Sequence, residues 1–106
     1  MSLRKKQSKF CKMVALLILH SEQLGYEVTF GRAYSSPEAN KADGGIDGSL
    51  HTQRLAIDLN LFKNGKYLTS TIDHEPLGVY WEAIGGSWGG RFNDGNHYSL
   101  EHNGKK

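Results

Sequence analysis

The longest regular pattern of apolar positions lies at the start of the chain. Five apolar residues recur there at spacings of three, four and seven, with no proline or glycine between them: Leu3, Phe10, Val14, Leu17 and Leu24. Such spacing places the side chains along one face of a helix. Gly25 follows and supplies a C-terminal stop. The pattern therefore predicts a helix over residues 3–24 with one face on the core.

A period of two takes over in the next segments. Residues 26–30 and 55–62 alternate and are rich in β-branched, aromatic and aliphatic side chains, which is typical of strands. In the second strand Leu55, Ile57, Leu59 and Leu61 should face one side, whereas Asp58 faces the other. Asn64-Gly65 then predicts a hairpin turn into a short strand over residues 66–68.

The remaining segments predict loops, one more helix and a last strand. Residues 35–49 are rich in turn formers, with a short helix starting at Pro37. Asp73 is the expected N-cap of a helix that ends at Gly85-Gly86. Residues 87–92 read as a glycine-rich connection, and residues 97–101 as the final strand. The order predicts one α+β domain over residues 1–106, a small antiparallel sheet flanked by helices.

Composition and charge exclude several classes. A net charge of +2, with five of the basic residues in the runs at the two ends, is too slight to predict nucleic-acid binding. The apolar run 13–19 is too short to span a bilayer, and no cleavage site follows it, so neither membrane insertion nor a signal peptide is expected. Cys11 is alone, which excludes a disulfide framework.

Candidate chemistry starts at Asp58. A carboxylate on a mostly apolar strand is costly unless it is paired or binds a metal. His51 precedes it after a Gly/Ser loop, and His97 lies on the last predicted strand. Two imidazoles and one carboxylate form the ligand set of a zinc site with an open fourth position. The alternative is an ion pair of Asp58 with Arg54 or Arg91.

Asp94 is the second carboxylate of interest. Gly95-Asn96 allows a sharp turn, so Asp94 and His97 could point to one place, where Asp94 would act as general base on a zinc-bound water. The alternative is that Asp94 only caps its turn. His20, His74 and His102 are weaker ligand candidates, and His102 should point away from His97 by strand parity.

Four blocks of sequence together resemble the zinc D,D-carboxypeptidase/L-alanyl-D-glutamate peptidase family, and most closely its phage endolysin branch. The blocks are Ser49-Leu50-His51 with Asp58-Leu59-Asn60-Leu61-Phe62, then Leu77-Gly78-x-Tyr80-Trp81-Glu82, Trp88-Gly89-Gly90-Arg91-Phe92 and Asp94-Gly95-Asn96-His97. The resemblance covers residues 10–103. It implies a fold of the Hedgehog/D,D-peptidase type, with zinc held by His51, Asp58 and His97 and with Asp94 as the base.

The implied reaction is hydrolysis of an amide bond in a peptidoglycan stem peptide, in this branch between L-Ala and D-Glu. Zinc would acidify a water, Asp94 would take its proton and pass it to the leaving amine, and a cation would help to stabilise the oxyanion. A D,D-carboxypeptidase or dipeptidase, or a low-activity wall-binding domain, are the alternatives. We expect a monomer that is made in the host bacterial cytoplasm and acts on the cell wall.

The cation is where the chain departs from the family. Members commonly carry arginine in a Tyr-Arg-x-Pro-Glu segment, and here that position is Ser35. Arg32 and Arg91 are the two replacement candidates. Arg32 has the wrong strand parity, so it would need a bend or a bulge to reach the site. Arg91 follows Gly89-Gly90 and could arrive from the opposite wall.

Overall fold

The computed structural model describes residues 1–46 and 48–106. Its helices and strands form the α+β arrangement that the sequence predicts, an open antiparallel sheet with helices packed against it. In chain order the elements are α1 (Leu3–Gln23), β1 (Glu27–Phe30), α2 (Pro37–Ala42), β2 (Ala56–Lys63), β3 (Lys66–Leu68), α3 (Glu75–Ala83), β4 (Ser87–Trp88) and β5 (His97–Ser99). Short 3₁₀ turns precede β2 (Leu50–Gln53), α3 (Ile72–His74) and β5 (Gly89–Phe92). No described helix is long and apolar enough to cross a membrane.

Strand β2 is the centre of the sheet. The strand order is β1-β2-β5-β4, and β3 pairs with the end of β2 through the hairpin. The turn residues Asn64 and Gly65 both have positive φ, as a two-residue hairpin requires. In the register of β2 with β5, Asp58 stands directly opposite His97. The fold thus brings together two residues that are 39 positions apart in sequence.

The core lies between the sheet and the helices α1 and α3. It is built from the middle of the predicted apolar face of α1, the odd-numbered side chains of β2 and the inner face of α3; its largest buried members are Trp81, Tyr98, Leu17, Leu55, Leu59, Leu61 and Leu77. The two end members of the predicted face, Leu3 and Leu24, are exposed. Trp81 is fully buried, and its indole N–H donates to the carbonyls of Ser99 (2.9 Å) and Ser87 (3.1 Å). This contact ties α3 to the strand that carries His97.

Two local predictions are wrong. Asp73 does not cap α3; its carboxylate accepts from the Ser70 N–H (3.2 Å), and the Ser70 hydroxyl accepts from the Asp73 N–H (3.1 Å). Asp73 therefore closes the preceding turn, and α3 starts at Glu75 without a side-chain cap. The connection predicted at residues 87–92 contains strand β4, because Trp88 pairs with Tyr98 and buries its ring.

Candidate metal centre

Two neighbouring strands position the first pair of candidate ligands. Asp58 and His97 are direct cross-strand partners, so their side chains leave the sheet on the same face. Asp58 Oδ1 lies 3.3 Å from His97 Nδ1. His97 is buried, whereas the Asp58 side chain is 24% exposed and opens toward a pocket.

His51 approaches the same carboxylate from the 3₁₀ turn that precedes β2. The Ser49 hydroxyl accepts from the His51 N–H (3.3 Å), and Arg54 ends the turn in the left-handed region. The ring Nδ1 of His51 lies 2.8 Å from the Ala33 carbonyl. Because a carbonyl only accepts, Nδ1 carries the proton, and Nε2 is free to face Asp58 Oδ1 at 3.4 Å.

The three side chains fit a zinc ion by their chemistry and their spacing. One ligand atom from each of His51, Asp58 and His97 lies within 4.8 Å of the others. The carbonyl behind His51 is the kind of partner that orients a metal-binding histidine. The alternative ion pairs of Asp58 are not formed: the Arg54 guanidinium lies over the Tyr34 ring, and Arg91 pairs with Glu82.

In the metal-free protein, the Asp58 carboxylate and the histidines stabilise one another's charged forms. Burial alone would raise the pKa of Asp58, but hydrogen bonds and charge interactions with His51 and His97 lower it to about 2. Burial would likewise lower the pKa of His51, and the Asp58 carboxylate and Ala33 carbonyl outweigh burial and raise it above 6.5. The site therefore holds an ionised carboxylate ready for a cation.

Asp94 lies on the rim of the pocket that the three residues face. Its turn is closed by backbone groups: Asp94 N–H donates to Gly89 (2.9 Å), and its carbonyl accepts from His97 N–H (3.1 Å). Within residues 1–46 and 48–106 its exposed carboxylate accepts no hydrogen bond. The Asx-turn alternative is therefore not observed, and the carboxylate is available to a substrate or a water.

Arg32 reaches the same pocket through a β-bulge. Gly31 stands opposite Asp58 and donates to its carbonyl (2.8 Å), but the Asp58 N–H donates to the carbonyl of Arg32 (2.7 Å). Gly31 and Arg32 thus both stand opposite Asp58, and this bulge changes the face of the sheet from which the Arg32 side chain extends. Its guanidinium lines the pocket and pairs with Asp43.

Arg91 lies elsewhere. Its guanidinium forms two hydrogen bonds with the Glu82 carboxylate, at 2.6 and 2.9 Å, and lines a neighbouring pocket. Ser35, the residue at the family's arginine position, is buried, and its backbone N–H donates to the His51 carbonyl (3.2 Å). The structure therefore brings Arg32, and not Arg91, to the cluster.

The other three histidines are remote from the cluster, as the sequence suggested. His20 stacks on Tyr80 (3.9 Å between ring centroids), and His74 is buried with its Nδ1 2.8 Å from the Tyr98 hydroxyl. His102 lies near Lys6.

The pocket itself has a volume of about 330 Å³. Sequence reasoning missed two features of its wall. Asn40 is buried and donates from Nδ2 to the Ile46 carbonyl (2.8 Å), which fixes the loop at residues 44–46 along one side. Phe92 forms the other side, with its ring 6.1 Å from that of His97. Phe92 stands within a recognised block of sequence; nothing in the pattern around Asn40 marks its role.

Comparison with known families confirms the resemblance at the level of the family and does not distinguish its phage endolysin branch. The sequence model of the D-alanyl-D-alanine carboxypeptidase family, peptidase family M15, matches residues 43–100. The chain belongs to peptidase family M15. The matched segment contains His51, Asp58, Asp94 and His97, and Arg32 precedes it. M15 peptidases are zinc-dependent, so the metal expected at a cluster of this kind is zinc. No curated protein matches the chain.

Proposed function

We propose that the protein is a zinc-dependent peptidoglycan endopeptidase of the phage endolysin type, which cleaves the stem peptide between L-Ala and D-Glu. The observation that carries the proposal is the Asp94 carboxylate, which accepts no hydrogen bond from the part of the chain that the structure describes and lies at the rim of the pocket that opens on His51, Asp58 and His97. A purely structural metal site has its four positions closed and needs no base beside it. A hydrolytic site needs one.

Each residue then has a definite task. His51, Asp58 and His97 would hold zinc, which when bound supplies an acidified water and polarises the scissile carbonyl. Asp94 accepts the proton of that water and donates it to the leaving amine. Arg32, at the edge of the pocket, donates hydrogen bonds to the oxygen that gains negative charge. On this proposal Arg91 has no part in the chemical step.

The choice of bond rests on the resemblance to the phage branch and on the shape of the site. Phe92 lines both this pocket and an adjoining one, which supports a peptide path that continues past the cluster. An endopeptidase needs room on both sides of the bond. The description of the matched family favours the second candidate, a D,D-carboxypeptidase that removes the terminal D-Ala.

Location and assembly belong to the same proposal. The protein is made in the cytoplasm of the host bacterium, and it acts as a monomer on the cell wall. Support for the wall as substrate comes from the peptidase family; the slight net charge of +2 gives no reason to invoke nucleic acid.

Mass spectrometry of fragments released from purified peptidoglycan tests the proposal. We expect new carboxyl ends on L-Ala and new amino ends on D-Glu, and no such ends with the Asp94→Asn protein. Release of free D-Ala would assign the carboxypeptidase activity instead. Intact peptidoglycan after incubation with the zinc-loaded protein would contradict both assignments.

A further inference from the structure

A second pocket lies directly beside the metal centre. It has a volume of about 340 Å³ and is lined by Glu82, Trp88 and Arg91, and it shares Phe92 and Lys106 with the first pocket. The Phe92 ring, 6.1 Å from the ring of His97, stands where the two pockets adjoin. A peptide bound at the cluster would extend into this second pocket.

The wall of the second pocket is closely packed. Trp88 is buried, and its indole N–H donates to the Gly95 carbonyl (2.8 Å). A Cβ on Gly90 would lie 2.2 Å from the Trp88 ring, so the turn that carries Arg91 packs closely on the indole. The Arg91 guanidinium lies 5.6 Å from the ring centroid of Trp88. A site built on such support is preorganised for a ligand.

The exposed charges of the second pocket are of both signs. The Arg91 side chain is 64% exposed and that of Glu82 is 30% exposed. A guanidinium has five N–H donors, and within residues 1–46 and 48–106 two of them, on Nε and Nη2, are used in hydrogen bonds to Glu82. Free N–H groups can therefore bind a carboxylate, while the remaining lone pairs of Glu82 accept from an ammonium group. The pair suits a ligand that carries both charges close together.

We propose that Arg91 and Glu82 form a subsite for the third residue of the stem peptide, specific for a zwitterionic side chain. Diaminopimelate has such a side chain, with a free ammonium and a free carboxylate at its far end, whereas lysine at the same position offers only the ammonium. This inference rests on the proposed function, since the third residue follows D-Glu and would be the second residue beyond the scissile bond. It gives Arg91 a part in substrate selection.

Binding to the zinc-loaded Asp94→Asn protein tests the subsite without turnover. The probes are two peptides amidated at the main-chain carboxyl, L-Ala-γ-D-Glu-meso-diaminopimelate and L-Ala-γ-D-Glu-L-Lys, and calorimetry gives each Kd. We expect the diaminopimelate peptide to bind about tenfold more tightly, the effect of one hydrogen-bonded charge. Arg91→Gln should remove this preference. Glu82→Gln should weaken both peptides and keep their ratio.

Two controls separate recognition from folding. Arg4→Gln replaces an exposed arginine outside both pockets and should leave both Kd values unchanged. Arg91→Lys keeps the positive charge without the planar fork and should retain part of the preference. Thermal unfolding and zinc content must match the parent protein in every variant.

Equal binding of the two peptides, or a preference that survives Arg91→Gln, would overturn the subsite. Cleavage assays with the wild-type protein then separate this result from the fate of the proposed function. A preference that depends on Arg91, combined with an uncut L-Ala–D-Glu bond, would keep the subsite and refute the bond assignment. Loss of turnover by the same factor on both peptides in Arg91→Gln would place Arg91 at the reaction centre and overturn the inference.

Discussion

Replacement of Asp58 by asparagine in the metal-free protein should lower the free energy of unfolding in a defined pH window. The Asp58 carboxylate lies 3.3 Å from His97 and 3.4 Å from His51, and these contacts bring its pKa from 3.8 to about 2 despite burial. The difference between those two values corresponds to about 2 kcal/mol. Asparagine has the same shape but no charge, so this stabilisation should be lost.

The sign of the effect follows from the two pKa directions. A depressed carboxylate pKa stabilises the folded state above pH 3.8, and the stabilisation is lost as the pH falls through about 2. His51 has a raised pKa, so its share is fully present below 6.5 and is lost as the pH rises through the folded value. The metal-free protein should therefore gain most from Asp58 between pH 3.8 and 6.5.

Urea unfolding of chelator-treated wild-type and Asp58→Asn proteins measures the difference. We expect about 2 kcal/mol near pH 5 and a clearly smaller value once the pH has risen through the raised pKa of His51. Asn60→Asp, two residues along the same face of β2, is a suitable control because it changes a charge on the same strand away from the histidines. Equal stabilities of wild type and Asp58→Asn near pH 5 would refute this account of the cluster.

Three further predictions concern the proposed base Asp94, the bulge at Gly31 and the packing of Gly78 on Trp88. Asp94→Asn should keep about one zinc per chain by elemental analysis yet lose ~10²–10⁴-fold in turnover, whereas His97→Ala should lose the metal; near-normal turnover would mean that Asp94 is not the base. Gly31→Ala places a Cβ 3.0 Å from the Asp58 carbonyl, so turnover should fall more than stability, and an unchanged kcat would refute the need for the bulge. Gly78→Ala places a Cβ 2.1 Å from the buried Trp88 ring and should cost roughly 1–3 kcal/mol by thermal unfolding; an unaltered Tm would contradict it.

The parts of the structure that follow from periodicity could be predicted from the sequence. Alternation along β2 gave its buried side and left Asp58 on the other, and Asn64-Gly65 gave the hairpin. Both are local signals that the sheet reinforces, since a strand with one apolar face has only one register that buries it. The cluster needed the family motifs as well, because nothing local states that Asp58 faces His97.

The two wrong predictions, at Asp73 and at strand β4, concern short segments in which alternative local structures compete. Asp73 is a residue type that commonly caps helices. Here it forms a reciprocal pair of hydrogen bonds with Ser70, three residues earlier, and these replace the cap. Strand β4 has two residues, too few to show any period, and it forms because burying Trp88 against Tyr98 requires that pairing. Neither error moves a residue of the metal centre, since the centre depends on β2, β5 and the turn before β2.

The position of the cation shows why a departure from a family pattern need not remove a function. Ser35 is buried and does not line the pocket. Its backbone N–H donates to the His51 carbonyl, so it supports the turn that carries His51. Three residues earlier the bulge turns Arg32 to the face of Asp58, which simple strand parity forbids. The bulge depends on the close approach of Gly31 to Asp58, a contact between residues distant in sequence. In the proposed mechanism, the backbone contact of Gly31 with Asp58 therefore also determines that the Arg32 guanidinium lies in the pocket.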